Sequence, residues 1–237
     1  ADGTYNMGTT YITNGGSNEP AWWVMMDLIK CFWWPYWFTT DHSTMAGGAT
    51  AVWYVGSTNG DYTNNGGNIY LRDAAADVES IPMHEYGHAV QWDIYGGWLP
   101  STGCPSPHYV ETGNAPNCAW VEGFASWYKC VVSGDPAYRW PGGGSVGYEA
   151  PTWGTVGWDD GDGVEGRVTA AMWDMGDSVV DGYDTCQVAW SELWDVIYGS
   201  THRDNNFSEY WTRWKSMGKP KHHANKALFQ NTIDYNA

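Results

Sequence analysis

Basic residues are scarce in this sequence: 11 Lys and Arg stand against 27 Asp and Glu, a formal net charge of -16 at pH 7. A surface so acidic repels phosphate backbones and anionic lipid headgroups, which excludes nucleic-acid and membrane-surface roles. No uninterrupted apolar run reaches the roughly 20 residues of a membrane-spanning helix. The longest apolar stretch, Ala21 to Phe38, is broken by Asp27, Lys30 and Pro35, and reads as a buried helix ending before Pro35. Phenylalanine is rare, yet 18 Trp and 16 Tyr raise the aromatic share to 16%, while charged residues also reach only 16%, so an intrinsically disordered chain is excluded. The five cysteines, Cys31, Cys104, Cys118, Cys130 and Cys186, show no two-residue metal spacing. Disulfides in an oxidising, extracellular setting are the expectation instead, with one thiol left over. With Ala1-Asp2 at its head and no charged-then-apolar segment before Thr4 to Thr13, the sequence is expected to be a processed, mature form.

A length of 237 residues accommodates one large domain or two lobes sharing a core. No internal period and no low-complexity run divides it. Strand signals at Tyr5 to Thr13, Ala51 to Gly56 and Asn68 to Arg72 surround the Trp-rich helix at 21–34. Helical patterns then follow near 80–95, 118–132, 163–176, 187–198, 207–216 and 222–230, with a Gly/Pro/Trp-rich loop over 133–161. A small mixed sheet followed by helices predicts an α+β fold of two lobes within a single domain, 1–237: a sheet lobe over 1–100 and a mainly helical lobe over 101–237.

The chemistry is concentrated at His84-Glu85-Tyr86-Gly87-His88. On a helix, residues four apart lie about 40° apart around the axis, so both imidazoles reach one ion and Glu85 flanks a water bound to it. That arrangement suits zinc hydrolysis. Ser80 is a candidate cap, Pro82 is tolerated in the first turn, and Gly87 costs about 1 kcal/mol of helix propensity, which predicts a close neighbour at that point. A catalytic zinc usually takes three protein ligands and keeps one position open. Asp93, nine residues after His84, points to the opposite side of the helix, and the next acidic candidate is Glu122 in Trp120-Val121-Glu122-Gly123-Phe124-Ala125-Ser126-Trp127.

These two segments resemble the gluzincin metallopeptidases, in which a Glu on a downstream helix completes a two-His, one-Glu zinc site. Glu122-Gly123-Phe124-Ala125-Ser126 is similar to the glutamate helix of aminopeptidase N-like enzymes. The resemblance implies a zincin-like fold with Zn2+ on His84, His88 and Glu122, Glu85 as general base, and a protein or peptide substrate. The separation of His88 from Glu122 is longer than is usual in that family, and the excess holds Cys104 and Cys118, so a Cys104–Cys118 disulfide closing an inserted loop is expected, with Cys130–Cys186 as the next pair and Cys31 free. The Gly-x-Met-Glu-Asn sequence that binds a free amine in aminopeptidases is absent, which favours an endopeptidase. His108, inside the same insertion, and the acids from Asp159 to Glu165 remain competing third ligands.

A fainter likeness to thermolysin-like enzymes lies at Asp160 to Val168, where the expected transition-state His is missing. Arg167 is the candidate oxyanion donor there, with Glu165 orienting a donor; the competing reading is a capping box of Asp162 and Glu165 with Arg167 in a local ion pair. Tyr148 and the histidines at 108, 202, 222 and 223 are further candidates. The acidic runs Asp159 to Glu165 and Asp174 to Asp184 could gather oxygens for Ca2+, although neither matches an EF-hand and caps or solvated loops explain them as well. The sequence therefore reads as a secreted, monomeric zinc endopeptidase. The rival is a catalytically idle extracellular module that binds carbohydrate or protein through its Trp-rich surface around a structural metal.

Overall fold

The computed structural model describes residues 19–39, 49–54, 56–149, 153–198 and 203–235; the expected strand at Tyr5 to Thr13 and His202 lie outside them. The fold is α+β. Helix α1 (Glu19–Phe38) precedes a three-stranded sheet of β1 (Ala51–Trp53), β2 (Tyr62–Thr63) and β3 (Ile69–Leu71), and a short 3-10 turn leads to α2 (Ser80–Ile94). Strand β3 is central, parallel to β1 and antiparallel to β2. Then come α3 (Pro116–Ser133), an antiparallel hairpin of β4 (Ala137–Arg139) and β5 (Ser145–Gly147), and α4 (Glu165–Gly176), α5 (Trp190–Tyr198), α6 (Phe207–Ser216) and α7 (His222–Gln230). Among the described residues no helix is long and apolar enough to cross a membrane.

Helix α1 does not stop before Pro35 but runs through it to Phe38. A proline at 35 cannot donate to the carbonyl of Cys31 four residues back, and that carbonyl accepts instead from the Tyr128 hydroxyl of α3 at 2.6 Å. Nor does Ser80 cap α2: its hydroxyl accepts from the backbone N–H of Arg139 and so ties the helix start to β4. Helix α3 opens with Pro116 in its first turn and ends at Gly134 in a left-handed conformation, φ 68°, as a C-terminal glycine stop requires. The segment 133–161, expected as loop, contains the β4–β5 hairpin, whose three-residue strands are too short to register as a period.

Two glycines position the site. A Cβ on Gly87 would stand 2.8 Å from the Ala125 Cα and 2.9 Å from its carbonyl oxygen, so α2 and α3 meet backbone to backbone there. A Cβ on Gly123 would meet Val168 at 2.9 Å and the Glu165 carbonyl at 3.1 Å, which brings the start of α4 against the same turn of α3. Around this contact the interior is aromatic: Trp34 packs edge-on against Trp127, Tyr128 and Trp194, with centroids 5.7–6.4 Å apart. Helix α7 is tied to α4 by Asn231, whose side-chain amide donates to Asp174 at 2.7 Å.

Cys104 and Cys118 form a disulfide with Cα atoms 5.2 Å apart. The expected Cys130–Cys186 pair is absent: both thiols are free and buried, as is Cys31. Cys130 and Cys186 serve as small apolar core residues, and burial raises both thiols to about 12.

Candidate metal centre

His84 and His88 lie one turn apart on α2, and the close approach at Gly87 sets Glu122 of α3 opposite them. The two Nε2 atoms are 3.1 Å apart, and each is 3.2 Å from Glu122 Oε2. Ligands bonded at about 2.0–2.1 Å to a tetrahedral ion stand roughly 3.3 Å from one another, so these spacings fit a zinc-sized cation. The hydrogen bonds fit as well. Ser126 has one proton, and its hydroxyl donates to Glu165 Oε1 at 3.2 Å; the 3.1 Å contact of Ser126 Oγ with His84 Nδ1 then has the imidazole as donor. That tautomer leaves the Nε2 lone pair of His84 facing Glu122 and His88, where a cation is the natural partner. All these groups except the rim of Glu122 are buried.

The electrostatics ask for positive charge. Burial opposes ionisation of Glu122, but His88, His108 and His84 outweigh it and hold the carboxyl well below the ordinary range. Burial would lower His88, yet Glu122 beside it drives the imidazole up to about 9. Glu122 raises His108 to about 9 as well, against burial. The field that draws protons onto two imidazoles would equally draw a divalent cation into their midst. Glu85, next to His84 on α2, is buried and raised by that burial; the single proton of the Thr63 hydroxyl is shared between the Glu85 backbone carbonyl, at 2.8 Å, and Glu85 Oε2, at 2.9 Å. Thr63 belongs to β2, a two-residue strand that sequence reading did not register.

His108 and Glu165 join this group, and Arg167 is engaged elsewhere. His108 Nε2 is 3.5 Å from Glu122 Oε2 and 3.6 Å from Glu165 Oε2. Glu165 begins α4 without acting as a cap, and burial followed by the Glu122 charge raises its pKa. Of the competing reading, the capping box does not form, since α4 has Val164 at its cap position and Asp162 accepts from the Tyr235 hydroxyl, whereas Arg167 does pair locally with Asp160 at 3.6 Å. Arg167 is wholly buried, donates to the Asp159 carbonyl at 3.0 Å and lies 5.2 Å over the Trp158 ring. It holds the 158–160 loop to α4. Tyr148 is buried, while His222 and His223 sit on α7, with His223 against Thr185.

Among the described residues, three ligand atoms come within 4.8 Å of one another in two groups, His84/His88/Glu122 and His108/Glu122/Glu165. The acids at 174–184 form no such group; Asp174 and Asp181 both accept from the Gln230 amide, Asp174 also from Asn231, and Asp184 from the backbone N–H of Cys186. Of these participants the sequence motifs mark His84, Glu85, His88 and Glu122, with His108 and Glu165 only among the competing third ligands; these two are brought in by the disulfide loop and by the helix contact at Gly123.

The family model described as the Mycolysin C-terminal domain matches residues 35–232, which include every residue of the centre. Comparisons with curated proteins and with solved structures gave no match. The chain therefore belongs to the Mycolysin C-terminal domain family, a domain of mycolysin/thermolysin-like metalloproteases.

Proposed function

We propose that this chain is a secreted zinc endopeptidase of gluzincin type, with a two-lobed zincin-like architecture. The observation that carries the reading is the convergence of His84 Nε2, His88 Nε2 and Glu122 Oε2 beside Glu85. Zinc bound there would polarise the scissile carbonyl and acidify a water. Glu85 accepts the proton of the attacking water and returns it to the leaving amine, while Thr63 fixes the carboxylate so that its other oxygen serves the transfer. Ser126 holds the His84 ring in the ligating tautomer, and Glu165 in turn fixes the Ser126 hydroxyl. One chain supplies the whole set, so no second copy is required. Extracellular action accords with the family, whose mycolysin-like proteases are extracellular.

The family description, a C-terminal domain, favours a second reading: a non-hydrolytic module of a metalloprotease in which the same residues hold a structural metal. Zinc analysis followed by casein digestion separates the two. The peptidase reading expects about one or more equivalents of zinc and digestion that stops on chelation and returns on adding zinc back. Bound zinc without digestion would favour the module.

A further inference from the structure

We infer that the centre holds a second divalent cation, on His108 and Glu165, with Glu122 as the carboxylate shared between the two ions. The inference rests on the zinc reading of His84, His88 and Glu122. Two triads of ligand atoms overlap at Glu122, and they do not merge into one five-residue set within 4.8 Å. A single ion on the first triad leaves His108 and Glu165 unused, whereas two ions that share Glu122 employ all five side chains; His84, His88 and His108 all face its Oε2, at 3.2, 3.2 and 3.5 Å. Paired ions about 3.5–4 Å apart, bridged by a carboxylate, are a known arrangement for activating water.

An independent observation points to the second ion. Glu165 Oε2 is buried without a hydrogen-bond partner among the described residues, in a residue only 4% exposed. Its other oxygen accepts from Ser126, and the orphaned one has His108 at 3.6 Å, an ion-pair distance beyond hydrogen-bond reach. A buried carboxylate oxygen with no donor is costly, and a cation between it and the imidazole removes that cost. The donor set, one imidazole and two carboxylates, suits zinc or manganese rather than calcium. His108 has its side chain 34% exposed, so this ion faces solvent and exchanges more readily than the one on α2.

The test is titration of the chelator-stripped, disulfide-intact chain with Zn(II), read by calorimetry and by metal content after gel filtration, with circular dichroism confirming the fold of each variant. The wild type should take two equivalents, one tight and one weaker. His108→Ala and Glu165→Gln should each lose the weaker equivalent and keep the tight one, and His84→Ala should lose the tight one. A single equivalent in the wild type, unchanged in His108→Ala, would overturn the second ion and leave the first. Two equivalents persisting in His108→Ala would place the second ion elsewhere and overturn the inference equally. No bound zinc at all would remove the first triad's reading as well.

Discussion

Replacing Gly87 with alanine sets two effects of opposite sign against each other. Helix propensity alone makes the change stabilising by about 1 kcal/mol. The new Cβ, however, would stand 2.8 Å from the Ala125 Cα and 2.9 Å from its carbonyl oxygen, about 0.6 Å inside ordinary van der Waals contact. Both opposing atoms are backbone, so no side chain can rotate away, and α2 and α3 must part. Overpacking of this kind typically costs roughly 1–3 kcal/mol, and occasionally more, so the net expectation is destabilisation by up to about 2 kcal/mol, a fall of up to several degrees in Tm. The same separation moves Glu122 away from the His84 and His88 nitrogens, now 3.2 Å from it, so Zn(II) affinity should fall by about tenfold or more. Thermal unfolding of the metal-free protein and zinc calorimetry read the two effects separately. A Gly87→Ala protein at least as stable as wild type, with unchanged zinc affinity, would refute the argument that backbone contact at this glycine builds the centre.

The bond between Tyr128 and the Cys31 carbonyl predicts that Tyr128→Phe costs about 1–3 kcal/mol in the native background, and clearly less in a Pro35→Ala background, where residue 35 regains an N–H for that carbonyl. Equal losses in both backgrounds would contradict the account of α1. Burial, then the Glu149 carboxylate beside it, pushes Asp177 up to about 7. Because the folded state binds this proton more tightly than the unfolded chain, the associated stability is full below about pH 4 and is lost as pH rises towards 7. Asp177→Asn should accordingly raise Tm at pH 8, by roughly 2–4 °C for each kcal/mol recovered, and leave Tm at pH 4 unchanged; a gain of the same size at both pH values would tell against it. Removing the Cys104–Cys118 disulfide by paired Ser substitution should cost about 3 kcal/mol, the loop-closure value for a crosslink of sequence separation 14, measured by denaturant unfolding.

What could be read from the sequence follows the range of the forces involved. The two histidines of α2 and their glutamate are a local pattern, fixed by helical spacing, and the need for a close partner at Gly87 could be foreseen because glycine inside a helix is otherwise unfavourable. The limits of α2 and α6 also followed from local periodicity. By contrast, where α1 passes through Pro35 the carbonyl of Cys31 is satisfied by a hydroxyl 97 residues further along the chain, and nothing near residue 35 reports that. His108 and Glu165 are 57 residues apart, and they meet at Glu122 only because a disulfide loop and a glycine contact deliver them. Arg167 looked available because the sequence does not reveal that Asp159 and Trp158 hold its guanidinium. The free state of Cys130 and Cys186 was equally hidden, since cysteine counts say nothing of which thiols share a face.

The central claim is that the metal on His84, His88 and Glu122 works with Glu85 on a peptide bond. Glu85→Gln removes the proton acceptor while keeping its shape and every proposed ligand, so wild type and variant can be compared at equal zinc content and equal Tm on one fluorogenic peptide library. The account predicts that the wild type cleaves the library and that kcat/KM of the variant falls by at least a hundredfold, the usual worth of a general base. Equal turnover by the two proteins, or none by a fully zinc-loaded wild type, would contradict it.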